Sequence, residues 1–169
     1  PPELSQKFET REDLVGDRQY VRTLSEITAT VKGAAVQPTI TTDDRFTTVT
    51  VPTNGSTEIV MSYTVTGAVV TIDGGTALQW RMLQGLSAQV DQFTAMVQIP
   101  TQFSYIKCTA GGPSSTVPCA FAAAGSEVEL ESGALVVVAV EADTDDVAHE
   151  VVAAARVAVH LRRVVVATD

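Results

Sequence analysis

The stretch from Thr57 to Trp80, TEIVMSYTVTGAVVTIDGGTALQW, restricts the fold more than any other part of the chain. Ile59, Met61, Tyr63 and Val65 share one face; Glu58, Ser62, Thr64 and Thr66 share the other, and Val60 alone interrupts the pattern. Period-two alternation in β-branched and aromatic residues specifies a half-buried strand. The apolar run continues through Val69, Val70 and Ile72 to a turn at Asp73-Gly74-Gly75, then to Leu78 and the single tryptophan, Trp80. A long strand among shorter ones of the same character is the expected spine of an antiparallel β-sandwich, immunoglobulin-like in general architecture.

The rest of the chain divides around that spine. Residues 1–17 are polar with no sustained period and read as an extended or partly disordered lead-in; residues 18–142 read as the sandwich. Within it, Val21, Ile27, Ala29 and Val31 share one parity, and RFTTVTV (45–51) is a further strand. Asn54-Gly55, set between two strand-like runs, is the sharpest hairpin signal. The near-continuous apolar run 134–141 suits a central strand covered on both faces.

Residues 143–169 change character. Thr144 or Asp145 can cap a helix, Val147, Val151, Ala154, Ala155, Ala158 and Leu161 recur at three-to-four spacing, and Arg162-Arg163 stand near the end. Cap, period and charge predict a C-terminal helix. The valine content keeps strand as the competing reading. A helical stripe containing Val147, Val151 and Leu161 must bury on the chain's own sheet or on a partner.

Hydrophobic residues at 45% and charged ones at 18% supply a core and argue against global disorder. The net charge of −9 opposes the phosphate neutralisation that nucleic-acid binding needs, so no nucleic-acid partner is expected. No apolar run reaches the ~20 residues of a membrane helix.

Few residues suggest chemistry. Cys108 and Cys119 end the loop CTAGGPSSTVPC, a spacing that suits a disulfide, although two free thiols remain the other reading. Such a bridge would stabilise by about 3 kcal/mol and implies an oxidising compartment. Glu141, Asp143, Asp145, Asp146 and Glu150 lack the spacing and glycine of a calcium loop and read as a solvated turn and helix start. His149 and His160 stand too far apart to share a metal, and no metal or other cofactor is expected. No G-x-S-x-G elbow is present. Trp80 is either a core residue or a stacking platform for a ligand.

The succession YTVTGAVV…ALQW, a strand ending at Ile99-Pro100, and IKCTAGG…C resembles the extracytoplasmic N-terminal domain of a family of predicted bacterial membrane proteins of unknown function. The matching positions are Tyr63, Val65, Gly67, Ala68, Trp80, Pro100, Cys108, Gly111 and Cys119, within residues 18–141. The resemblance implies an ectodomain anchored through membrane segments outside this chain, and it brings no established activity. The expectation is a non-catalytic envelope module acting in protein–protein interaction or self-association. The alternatives are an envelope hydrolase with a loop-built site and a carbohydrate or small-ligand binder using Trp80.

Overall fold

The computed structural model describes residues 2–72, 75–98, 105–109, 118, 121–124, 127–130, 135–141 and 154–165. Within them the chain is mainly β, and every strand pairing is antiparallel. In chain order the strands are β1 (Glu3–Glu9), β2 (Arg11–Asp13), β3 (Gln19–Val21), β4 (Thr23–Val31), β5 (Ala34–Val36), β6 (Thr39–Thr42), β7 (Phe46–Pro52) and β8 (Glu58–Thr66). There follow β9 (Val69–Ile72), β10 (Gly75–Arg81), β11 (Gln89–Gln98), β12 (Tyr105–Thr109), β13 (Phe121–Ala124), β14 (Glu127–Leu130), β15 (Leu135–Glu141) and β16 (Ala154–Val165). They form a three-stranded sheet β1-β7-β6, a four-stranded sheet β12-β15-β10-β9, a seven-stranded sheet β13-β14-β11-β16-β8-β4-β5, and the ribbon β2-β3.

Strand β8 lies inside the seven-stranded sheet, and Ile59, Met61, Tyr63 and Val65 are all buried, as its alternation predicts. Tyr63 meets aromatic residues from the two smaller sheets. Phe8 of β1 stacks on Trp80 of β10 at 5.8 Å and 16° and sets its edge against Tyr63 at 5.1 Å. The indole Nε1 of Trp80 donates a 2.9 Å hydrogen bond to the Tyr63 hydroxyl, which gives both buried polar atoms a partner. These three rings join three sheets.

The C-terminal helix is corrected over residues 154–165, which form strand β16 between β11 and β8; the remainder of 143–169 lies outside the described residues. Ala155, Val157, Val159 and Leu161 are buried on one face, while Arg156, His160 and Arg162 are exposed on the other. This period-two pattern coexists with the three-to-four spacing because the alanines fit either count, and the β-branched valines favour the strand. Val159→Asp should therefore abolish cooperative folding by burying an unpaired carboxylate. His160→Thr, on the solvent face, should shift stability by no more than ~0.5 kcal/mol. Thermal melts in which both substitutions act alike would contradict the pairing.

The opening residues, expected as an extended lead-in, are extended and also part of the core. β1 pairs along its length with β7, and Leu4, Gln6 and Phe8 are buried. The parity read from Val21 to Val31 also breaks. A bulge between Ser25 and Thr28 takes up Glu26 at φ 52°, so Ala29 and Val31 face the core while Val21 is 52% exposed. Asn54-Gly55 does form a turn, with the Ser56 amide donating to the Thr53 carbonyl. Yet β7 and β8 enter different sheets, so the turn joins layers and closes no hairpin. A two-residue hairpin turn does occur at Lys32-Gly33, both at positive φ, between β4 and β5.

Candidate functional site

The two edges of the three-stranded sheet are finished differently. On the β1 side, the segment after β10 is docked against the strand. The Lys7 amide donates to the Gly85 carbonyl at 3.0 Å, the Ser87 amide donates to the Ser5 carbonyl at 2.8 Å, and the Ser5 amide donates to the Ser87 hydroxyl at 2.9 Å. The Gln6 side chain adds a buried bond from Nε2 to the Met82 carbonyl at 2.8 Å. On the β6 side, no strand among the described residues is laid against Thr39–Thr42, and all four residues are exposed.

Register identifies the free groups on that edge. The Asp43 amide donates to the Phe46 carbonyl, which makes 43 and 46 a hydrogen-bonded pair; Thr41/Thr48 and Thr39/Thr50 follow in step. Ile40 and Thr42 alternate with them, so their amides and carbonyls point away from β7. Thr42 and Thr47, a non-hydrogen-bonded pair, bring their hydroxyls to 3.3 Å, in agreement with that phase.

Side chains follow the same alternation. Ile40 and Thr42 share a face with Val49 and Thr47 of β7, and these with Gln6 and Phe8 of β1. This inner face is buried on β1 and β7, but at β6 Ile40 is 46% exposed. Ile40, Thr42 and Thr47 form one wall of a groove of about 310 Å³, with Val21, Leu24 and Arg11 also lining it. Val21 and Ile40 are two of the few large hydrophobic residues exposed among those described. An open backbone edge beside a groove that combines Val21, Leu24 and Ile40 with a largely polar lining is chemically suited to an extended polypeptide, which can add main-chain hydrogen bonds and insert alternate side chains.

The hairpin that presents β6 is set by Asp43. Its Oδ1 accepts from the Arg45 amide at 2.9 Å and the Phe46 amide at 2.7 Å. These two backbone bonds, Arg45 first, hold the carboxyl below its ordinary value. A carboxylate held low adds stability above its unfolded-state pKa of about 4, and that stability is lost as pH falls through the lower folded value. Acidification through that lowered value should release the Arg45 and Phe46 amides, read as shifts of their NMR resonances. Amide resonances that stay constant while the Asp43 carboxyl itself is seen to protonate would refute the tie.

A second concavity, of about 90 Å³, is polar and includes Glu9, Glu12, Tyr20, Arg22 and Arg81. Arg22 bonds Glu12 at 2.9 Å, and Arg45 bonds Glu9 at 3.2 Å. Arg22 also lies over the Tyr20 ring. The volume matches about three waters at ~30 Å³ each. Two carboxylates each matched by a guanidinium make an ion-paired surface, not an acid–base pair set apart by environment.

The residues singled out from sequence do not converge. Trp80 is 3% exposed with its N–H engaged, and it lines the polar concavity together with Tyr20 and Arg22. Burial pushes the Tyr63 hydroxyl above its ordinary value, with the Trp80 bond opposing, so the phenol remains neutral. Leu161 is fully buried opposite Ile59 and Phe93 and belongs to the sheet core. His160 is exposed on β16. Val147, Val151, Cys119, His149 and the acidic residues from 143 to 150 lie outside the described residues; Cys108 is in β12 with its side chain outside them. Among the described residues no cluster of metal-ligating side chains occurs, and no helix is long and apolar enough to cross a membrane. The open edge was missed in sequence because Ile40 sits in an unremarkable TITT, and its exposure depends on pairing between distant segments.

No family model, no curated protein and no solved structure matches the chain.

Proposed function

We propose that this chain is a non-catalytic interaction module: a two-layer antiparallel β-sandwich of a membrane-anchored cell-envelope protein, working outside the cytoplasm. The observation that carries the reading is the open edge of β6, with Ile40 half-exposed beside a groove, on a sheet whose other edge is capped. Natural sheets blunt exposed edges with very short strands, charged side chains, proline, bulges or a covering segment, and β6 is short at four residues. β6 has no charged residue, and Ile40 stands half-exposed within it.

In the sandwich reading, the three- and four-stranded sheets form one layer against the seven-stranded sheet. Its support is the meeting of Phe8, Trp80 and Tyr63. The extracytoplasmic placement rests on the Cys108/Cys119 spacing and on the resemblance to envelope ectodomains. Protein from its native source, denatured without reductant, should present no free thiol to titration; two free thiols would remove the oxidising compartment.

The interaction reading is tested in cells making the full-length protein. Ile40→Lys should abolish the cross-linked adducts that the wild type forms, while the purified domain keeps its melting temperature. Unchanged adducts would eliminate the β6 edge as the route of interaction.

A further inference from the structure

Resting on the interaction reading, we infer that the occupant of the β6 edge is a second copy of this chain, paired strand to strand through Thr39–Thr42 about a two-fold axis. An extended backbone can satisfy the outward amides and carbonyls of Ile40 and Thr42 together, in the alternation of an antiparallel ladder. The strand is complementary to itself in one register. With Ile40 opposite Thr42 of the second copy, and Thr42 opposite its Ile40, all four outward groups on each strand close into a two-fold set of hydrogen bonds.

The flanking residues favour that register over its neighbours. Setting Ile40 against Ile40 would put Thr42 opposite Pro38, which has no amide to give. Setting Thr42 against Thr42 would put Ile40 opposite Asp44, which lies in the turn beyond the strand. In the favoured register, Asp43 faces Thr39 and Asp44 faces Pro38, so the acidic residues of the two copies stand at opposite ends. β6 itself contributes no charge to the pairing, which matters in a chain of net charge −9. The two grooves would join into one seam, covering Ile40 and Val21 of both copies in a single event.

Of the other edge strands with described side chains, β5 has three residues, two of them exposed alanines, and no exposed large apolar side chain, while β2 and β3 have three residues each and β3 contributes its exposed Val21 to the same groove.

A four-residue edge makes a small interface, and interfaces below ~1,200 Å² are weak and transient. A covalent trap therefore reads it best. Thr41 faces its own symmetry mate in a non-hydrogen-bonded pair, where Cα atoms approach to about 4.5 Å, within disulfide reach. Thr39 lies four residues out of step with its mate, at about 14 Å, beyond that reach. In the full chain under mild oxidation, Thr41→Cys should give at least about ten-fold more disulfide-linked dimer than Thr39→Cys or the wild type. In sedimentation velocity, the wild type should show concentration-dependent dimerisation that Ile40→Lys removes. Equal trapping of the two cysteine variants, or none, overturns the self-pairing. If trapping fails while Ile40→Lys still abolishes the adducts in cells, a different chain occupies the edge and the interaction reading stands. If Ile40→Lys leaves the adducts unchanged, the interaction reading fails with it.

Discussion

Gly67→Ala is expected to destabilise the domain by at least about 3 kcal/mol, the combined effect of a left-handed backbone and a steric collision. Gly67 adopts φ +76° where the chain leaves β8 for β9, and a Cβ there would be driven into the Val21 carbonyl oxygen. That oxygen is backbone and cannot swing aside as a flexible side chain would. In a domain of this size the loss corresponds to a fall in melting temperature of about 6–12 °C. Gly16 is the internal control. It has φ +82° with nothing near the added Cβ, so Gly16→Ala should cost only the conformational penalty of about 1–2 kcal/mol. If the two variants melt together, the close approach of the crossover to β3 is wrong.

The second large effect lies in the aromatic junction. Trp80→Ala should cost about 3–5 kcal/mol, since a fully packed indole is removed and a cavity remains between sheets. The hydrogen bond can be separated from the packing. Tyr63→Phe strands the buried Trp80 N–H, at about 1–3 kcal/mol, and Trp80→Phe removes the donor from the other side. The double variant should be less damaged than the sum of the two, with a coupling of about 0.5–3 kcal/mol. Strict additivity in denaturant titrations would mean that the 2.9 Å bond contributes nothing beyond the contact of the rings.

What could be read from the residues alone follows from how local each signal is. β8 was legible because its alternation is uninterrupted on the buried face and depends on no other segment. β16 was not, because Ala154, Ala155 and Ala158 satisfy a helical stripe as well as they satisfy a strand, and caps drawn from the acidic residues before it reinforced the wrong period. β1 escaped notice because its middle inward residue is Gln6, which looks solvated until the Met82 carbonyl is seen to receive its amide. The groove at β6 was beyond reach for a different reason. It is made by register between β6 and β7 and by a bulge in β4 that accompanies the outward turn of Val21, and none of these is written in any single window of sequence.

The capped edge of β1 sets a limit on growth. A sheet open on both sides is a template that each newcomer extends, and such polymers lengthen without end as concentration rises. In the proposed pairing an arriving copy would use the open margin it brings, while its other margin is closed by Gly85 and Ser87. Through this sheet, such pairing would saturate at two copies. The hydrogen bonds of a short turn would then act as a stop signal that sets the stoichiometry of that pairing and keeps the strand from seeding fibres.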